Sequence, residues 1–306
     1  MDLQLGPLRT LQAVARHGSF SRAAAELGLT QPAVSMQVRQ LEHQVGLPLL
    51  ERAGKRAFPT RAGEVLLAHA ARAFLELEAG FEHAQQLRGI VAGRVRLGTS
   101  ASISIYLLPP LFRRFRARYP ETQLQVVTGN ASEIVRSIAG NALDLGIVSL
   151  PVRSRELGVT PFYRDDLVAV VPPRRPWSGR VARPAELARE PLILFERGAT
   201  LRRVIDQWFH RAGVTPERVM EMGNTEAIKK LVHAGLGCSV TSWFSARAEV
   251  RSGELRAIRL DPPVNRQLGV VRRRDKTRTP SLEAFLGAVE ELRAQLDRES
   301  SARRRG

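Results

Sequence analysis

The chain has 306 residues, 43% hydrophobic and 25% charged, a balance that excludes wholesale disorder and leaves room for two or three cores. Its formal net charge of +17 suggests a nucleic-acid partner, yet residues 1–88 hold ten Lys or Arg against eight Asp or Glu, which leaves +15 on residues 89–306. Only four of the 47 basic residues are lysine, a skew that codon bias would produce, so the global charge is set aside and the local cluster Arg39, Arg52, Lys55, Arg56 and Arg61 is kept. No secretion signal opens the chain and no stretch has the length of a membrane span. The single Cys238 cannot form an internal disulfide, which fits a cytoplasmic location with no membrane partner.

Pro7 opens a first helix in which Leu8, Leu11, Val14 and Ala15 make a stripe ending at Gly18. A short helix through Ala23-Ala24-Ala25 stops at Gly28, where a left-handed residue meets no Cβ clash, and Thr30 can cap a third helix with Pro32 in its first turn. There Val34, Val38, Leu41 and Val45 follow at gaps of four, three and four, predicting one buried stripe. Gln31, Ser35 and Arg39, also four apart, share another face. They offer an amide that can pair bidentately with adenine, a hydroxyl and a guanidinium. Spacing alone leaves an ordinary antiparallel helix pair and a DNA-reading helix-turn-helix equally open. Residues 48–60 then read as two short extended pieces around a basic glycine turn, a wing able to straddle the sugar-phosphate backbone.

Together these residues resemble the DNA-binding domain of the LysR-type transcriptional regulators. The resemblance rests on Gly18-Ser19-Phe20, Ala23-Ala24-Ala25, Thr30-Gln31-Pro32-Ala33-Val34-Ser35, Leu41-Glu42, Gly46 and Pro59-Thr60-Arg61-Ala62-Gly63, unbroken over roughly the first 65 residues. It implies DNA contacts from Gln31, Pro32, Ser35, Gln37, Arg39, Arg52, Lys55 and Arg56. Met36 stands where many relatives carry a longer polar or basic side chain, so no base contact is expected from it.

From Thr60 a long helix runs without proline to about Arg88. Leu67, Ala70, Phe74, Leu77, Phe81 and Ala84 recur at alternating gaps of three and four, the seam of a coiled coil, which predicts a dimer through this helix. Glu76, Glu78 and Glu82 flank the seam and are expected in solvent. Gly89 and Gly93 bracket a hinge.

Beyond Arg94 strands and helices alternate. Strands are expected at residues 95–98, 124–127, 143–148 and 167–171, with helices at 107–115 and 132–139. A second series has strands at 192–195, near 219 and at 239–241, with helices at 201–211 and 225–234. Strand 268–271 and helix 281–296 return to the first lobe. Such repeated units predict parallel sheets in two lobes. This half resembles the effector-binding domain of the same family, itself like a periplasmic solute-binding protein. The residues that carry this are Leu97-Gly98-Thr99, Gly129-Asn130 before Glu133-Ile134, residues 143–147, Gly223-Asn224-Thr225 and residues 234–237. In open α/β folds a ligand sits beyond the strand ends against helix N-termini, which favour anions. The resemblance implies that Thr99, Ser100, Ser102, Asn130, Ser149, Thr200 and Thr225 converge on one cleft as the contacts of a small anionic effector. Each also reads as a plain cap or turn residue, with Thr200 and Thr225 capping helices of the second lobe.

No catalytic residue, metal site or cofactor is indicated: the six histidines lack HExxH-like spacing, and there is no nucleophile elbow or phosphate loop. Gly235 and Gly237 read as a helix terminus, and Asp165-Asp166 as solvated or paired with an arginine. The expected architecture is α+β and multi-domain. A winged helix-turn-helix spans 1–59 and a linker helix 60–89. A two-lobed α/β effector domain spans 90–300, with lobe I at about 90–163 and 268–300 and lobe II at about 164–267. Residues 301–306 form a disordered basic tail. The expected partners are double-stranded DNA, a small-molecule effector, RNA polymerase and copies of the same chain, as a dimer and then a tetramer. A transported-solute receptor and a small-molecule enzyme of the same two-lobed fold are the competing readings.

Overall fold

The computed structural model describes residues 4–54, 56–174, 177 and 179–305; for Arg52 and residues 301–305 it describes the backbone alone. The chain divides into two compact units between Phe81 and Glu82. The first is a helical head. Helices α1 (Leu5–His17) and α2 (Phe20–Leu27) both end on left-handed glycines, and α3 (Gln31–Val45) follows, with a hairpin of β1 (Leu50–Ala53) and β2 (Arg56–Pro59) behind it. Val14, Ala24, Val34, Val38 and Ala57 bury one side of this head, while Leu8, Leu11, Leu41 and Leu49 bury the other. Val45, expected on the buried stripe, is the last residue of α3 and is 42% exposed.

Helix α4 (Arg61–Gln86) begins on Thr60, whose hydroxyl accepts from the Gly63 amide at 3.1 Å. Gly63 lies so close to the hairpin that a Cβ there would stand 2.0 Å from the Leu49 carbonyl oxygen. The expected dimer seam is split. Ala70 is buried and Leu67 and Phe74 pack beside it against Leu8, Leu11 and Leu49 of the same head. Leu77, Ala84 and especially Phe81, at 73%, are exposed.

The second unit contains β3 (Gly93–Thr99), α5 (Ala101–Tyr106), α6 (Pro109–Arg118), β4 (Thr122–Thr128), α7 (Ala131–Ala139) and β5 (Leu145–Ser149), then the long β6 (Leu157–Val171). Next come β7 (Val181–Ala182), α8 (Pro184–Leu187), β8 (Leu192–Phe195), α9 (Thr200–Arg211), β9 (Val219–Met222), α10 (Thr225–His233) and β10 (Ser239–Ser242). The chain closes with α11 (Trp243–Ser252), β11 (Arg256–Leu260), β12 (Asn265–Arg273) and α12 (Pro280–Arg305). Parallel pairing was expected throughout and holds for β3 with β4 and β5, β8 with β9, and β11 with β7. It fails at the centre, where β12 runs antiparallel to β5 and β6, and β10 and β11 antiparallel to β6. Strand β6 joins the lobes: its residues up to Asp166 pair with β12, and those from Leu167 pair with β10 and β11.

Lobe I buries Leu97, Leu111, Phe115, Phe285 and Leu292 on one sheet face and Ile134, Ile138 and Val271 on the other. Asp144 stands just before the interior strand β5, where the Arg96 amide and guanidinium and the Lys276 ammonium, each at 2.7 Å, converge on its carboxylate. Burial pushes that carboxyl up, but the bonds from Arg96 and Lys276 outweigh it and hold Asp144 below the usual range. Lobe II has two apolar layers, with Ile205, Trp208 and Phe209 on one side of its strands and Ile228, Val232 and Ala246 on the other.

Two expectations about the ends of this unit are corrected. Glu82 is buried rather than solvated, and its Oε2 accepts from the Ser281 amide at 3.2 Å and the Ser281 hydroxyl at 2.6 Å, so it caps the start of α12. Gly93, at φ +131°, lets the chain pass this carboxylate; a Cβ there would lie 2.2 Å from it. Helix α12 carries on to Arg305, so the backbone of the segment expected to be a disordered tail is helical, except Gly306, which lies outside the described residues.

Candidate functional site

In the head, α3 is fixed at its start by the Thr30 hydroxyl, which accepts from the Ala33 amide at 3.3 Å. Glu42 reaches from the far end of the same helix to accept from the Leu49 amide at 2.9 Å, and the β2 amide of Ala57 donates to the Gly18 carbonyl at 2.9 Å. Reading helix and wing are therefore tied to one frame. With its apolar stripe turned inward, α3 leaves Gln31, Pro32 and Arg39 exposed and Ser35 half-buried, and the Gln31 amide donates to the Ser35 hydroxyl at 3.0 Å. Met36, 67% exposed, lies beside them; any contact from it to a base would be apolar. Gln37 does not join this face: it is half-buried, and its amide oxygen accepts from Thr10 of α1 at 2.5 Å. On the wing Arg56 is exposed, Lys55 lies outside the described residues, and the side chain of Arg52 is likewise undescribed.

The second candidate lies between the lobes. Ser102 and Tyr106 of α5, Ser242 and Ser245 around the start of α11, and Asp165 and Arg266 of the central strands line a crevice of about 10 Å³, room for about one water molecule. Asp165 and Arg266 face each other across β6 and β12; the guanidinium Nε donates to the carboxylate at 2.8 Å, and both are buried. The Ser242 hydroxyl donates to the other carboxylate oxygen at 2.8 Å. Asp165 is thus paired with an arginine, one of the two readings its sequence position allowed.

Beside the crevice the phenol of Tyr106 donates to Glu226 of α10. The Lys229 ammonium, 2% exposed, sits 4.6 Å from the centroid of the Tyr106 ring. It bonds Glu226 at 2.8 Å, Glu249 at 2.5 Å and the Ser245 carbonyl at 2.9 Å. Burial and the neighbouring Glu226 push the Tyr106 phenol far up, so it stays a donor. For Glu226 burial acts upward as well, but the bonds from Lys229 and Tyr106 prevail and hold its carboxyl below the usual range.

Of the seven expected effector contacts, Ser102 alone lines this crevice. Thr99 is buried and donates to the Ile147 carbonyl at 2.8 Å, locking β3 to β5. Ser100 caps α5, and Asn130 forms a capping box with Glu133 at the head of α7. Ser149 is buried at the end of β5. The cap expected of Thr200 falls instead at Ala199, without a side-chain bond, and Thr200 accepts from Arg203 at 3.2 Å. The cap expected of Thr225 is provided by Asn224, which accepts from the Glu226 amide at 2.7 Å. Sequence reasoning missed Tyr106, Ser242, Ser245 and Arg266. They belong to no spaced motif, and they lie on separate elements that only the fold brings together.

Among the described residues no group of three or more His, Cys, Asp or Glu could hold a metal ion, and no helix is long and apolar enough to cross a membrane. A family model described as a bacterial regulatory helix-turn-helix protein of the lysR family matches residues 5–64, and one for the LysR substrate binding domain matches residues 88–294. The RuBisCO operon transcriptional regulator of Allochromatium vinosum is 35% identical over 287 residues, covering 93% of this chain and 95% of its own. The transcriptional regulator CfxR of Cupriavidus necator is 35% identical over 284 residues, with 92% and 89% covered. Among solved structures, a full-length OxyR variant from Pseudomonas aeruginosa aligns with a TM-score of 0.74 at 23% identity, over 96% of this chain and 95% of that one. CbnR in complex with its target DNA aligns at 0.62 and 24%, over 95% and 100%, which bears on the fold alone. An N-terminal helix-turn-helix followed by a two-lobed effector-binding domain, matched in order along the chain, places this protein in the LysR family of transcriptional regulators.

Proposed function

We propose that Gln31, Ser35 and Arg39 read base edges in the major groove, that Arg52, Lys55 and Arg56 of the wing hold phosphates, and that a small anionic metabolite acts through the inter-lobe crevice. The observation that carries this reading is the division of α3 into a buried apolar stripe and an exposed polar face beside the wing. A helix so mounted can enter a major groove without unfolding any of its own support. Arg266 supports the choice of an anion, because only its Nε is committed to Asp165. The chain acts in the cytoplasm as a regulator without catalytic activity. Leu77 and Phe81 join two copies through α4, two such dimers associate on DNA, and RNA polymerase is the downstream partner.

The RuBisCO-operon regulation named for the Allochromatium vinosum protein supplies the candidate target, an operon for carbon fixation. Footprinting of the full-length protein on the promoter of such an operon from its own genome tests this: a protected two-half-site element is expected, and protection no better than on random DNA of the same length overturns it.

A further inference from the structure

We infer that Tyr106, Glu226 and Lys229 form a latch across the two lobes that keeps the crevice shut, and that a ligand is admitted only when this latch opens. The inference rests on the reading of the crevice as the effector site. Tyr106 ends α5 in lobe I, whereas Glu226 and Lys229 lie on α10, and Glu249 on α11, in lobe II. The same tyrosine lines the crevice, so one side chain borders the cavity and bridges the lobes.

Charge explains why the phenol turns to Glu226. A single ammonium, Lys229, serves two carboxylates, Glu226 and Glu249, in a site that excludes solvent from it. Its three donors are spent on Glu226, Glu249 and the Ser245 carbonyl, and among the described residues Glu249 Oε2 is left with no hydrogen-bond partner. Glu226 and Glu249 thus share one ammonium, and the Tyr106 phenol adds a second donor to Glu226 from the opposite lobe, while its ring faces the cation. The opposite anchor differs in kind. Asp165 and Arg266 sit on adjacent hydrogen-bonded strands at the crossing between lobes, so a rotation there carries both residues together and leaves their bond in place. Parting the lobes costs the latch and spares the strand pair. Such an opening would enlarge a crevice that now has room for about one water molecule.

Amide hydrogen exchange on the full-length protein, with no ligand added, tests the latch through Tyr106→Phe, which keeps the ring, and Glu226→Gln, which keeps an acceptor for the phenol but not the charge. Exchange in α5 and at the start of α10 should rise about tenfold in Tyr106→Phe, the ratio expected for one lost bond to a charged group, and less in Glu226→Gln. Exchange in the far layer of lobe II, at Ile205 to Phe209, should stay at the wild-type rate. Unchanged exchange at α5 and α10 in Tyr106→Phe would overturn the latch, as would a rise spread evenly over the whole unit, which marks general destabilisation. Because no ligand enters the measurement, a crevice that binds no metabolite would sink the proposed function and leave this result standing.

Discussion

The exposed face of α3 and the crevice between the lobes both carry polar side chains, yet those side chains are committed in opposite ways. On α3, Arg39 projects from a helix whose every support lies behind it, and Gln31 has spent only one bond, on Ser35. In the crevice Asp165, Arg266 and Ser242 are already bonded to one another and Tyr106 to Glu226, with Lys229 beside them bonded to Glu226 and Glu249, around a space for about one water. A preorganised surface binds without rearrangement and gains specificity directly from its donors and acceptors. A satisfied interior must first give up its own bonds, which converts binding into a change of shape. The two regions thus suit the two tasks of a ligand-responsive regulator.

The contrast is broken most severely at the buried strand pair. Arg266→Met leaves Asp165 with only the Ser242 hydroxyl in a buried site, and loss of about 3–5 kcal/mol is expected, seen as a thermal midpoint roughly 10 °C lower. Gln31→Ala, by comparison, should melt with the wild type. An Arg266→Met protein that melts with them both would mean that the pair is not a fixed part of the interior.

Next in size is the split seam of α4. Phe81→Asp alters a side chain that its own head leaves open, so the head should fold normally while apparent affinity for a two-half-site operator falls by about 10² as the tether between heads is lost. Phe74→Asp strikes the packing against Leu8 and Leu11 and should unfold the head as well. Sedimentation velocity beside circular dichroism separates the two outcomes; a Phe81→Asp protein that remains dimeric would place the interface elsewhere.

A smaller effect concerns acid. Because the folded state holds Asp144 below its unfolded carboxylate range, its contribution is complete above about pH 4 and is lost as pH falls through the lowered value. In Asp144→Asn that part of the acid-side decline should vanish, with about 1–3 kcal/mol already missing at neutral pH from the bonds of Arg96 and Lys276. Melting curves between pH 3 and 7 read both quantities, and parallel curves for the two proteins would assign the acid sensitivity to other carboxylates.

How much of this was visible in the sequence follows the same division. The head was legible because its signals are local: glycines at 18 and 28, a cap at 30, and a 3.6-residue stripe that needs no knowledge of the rest of the chain. Periodicity could not tell which partner the α4 stripe meets, so a seam that serves the head at Leu67 and Phe74 looked identical to one left open at Phe81. In the effector domain the Ser100 hydroxyl and the Asn130 carboxamide were found in their places but are committed to their own helices, as caps usually are. The polar lining of the crevice comes instead from residues 102, 106, 165, 242, 245 and 266, which only the crossing of β6 and β12 brings together. Sequence position gave Asp165 two readings; its arginine, 101 residues away, was found only in the fold.

The central claim, that α3 reads sequence while the wing holds the backbone, is tested most directly by binding-site selection and salt titration on Gln31→Ala and Arg56→Gln side by side. Gln31→Ala should lose about 1–3 kcal/mol of preference at one base pair with its salt slope intact, and Arg56→Gln should lower the slope by about one unit while preferences stay unchanged. Wild-type preference in Gln31→Ala, or a base-specific loss in Arg56→Gln at constant slope, would contradict the assignment.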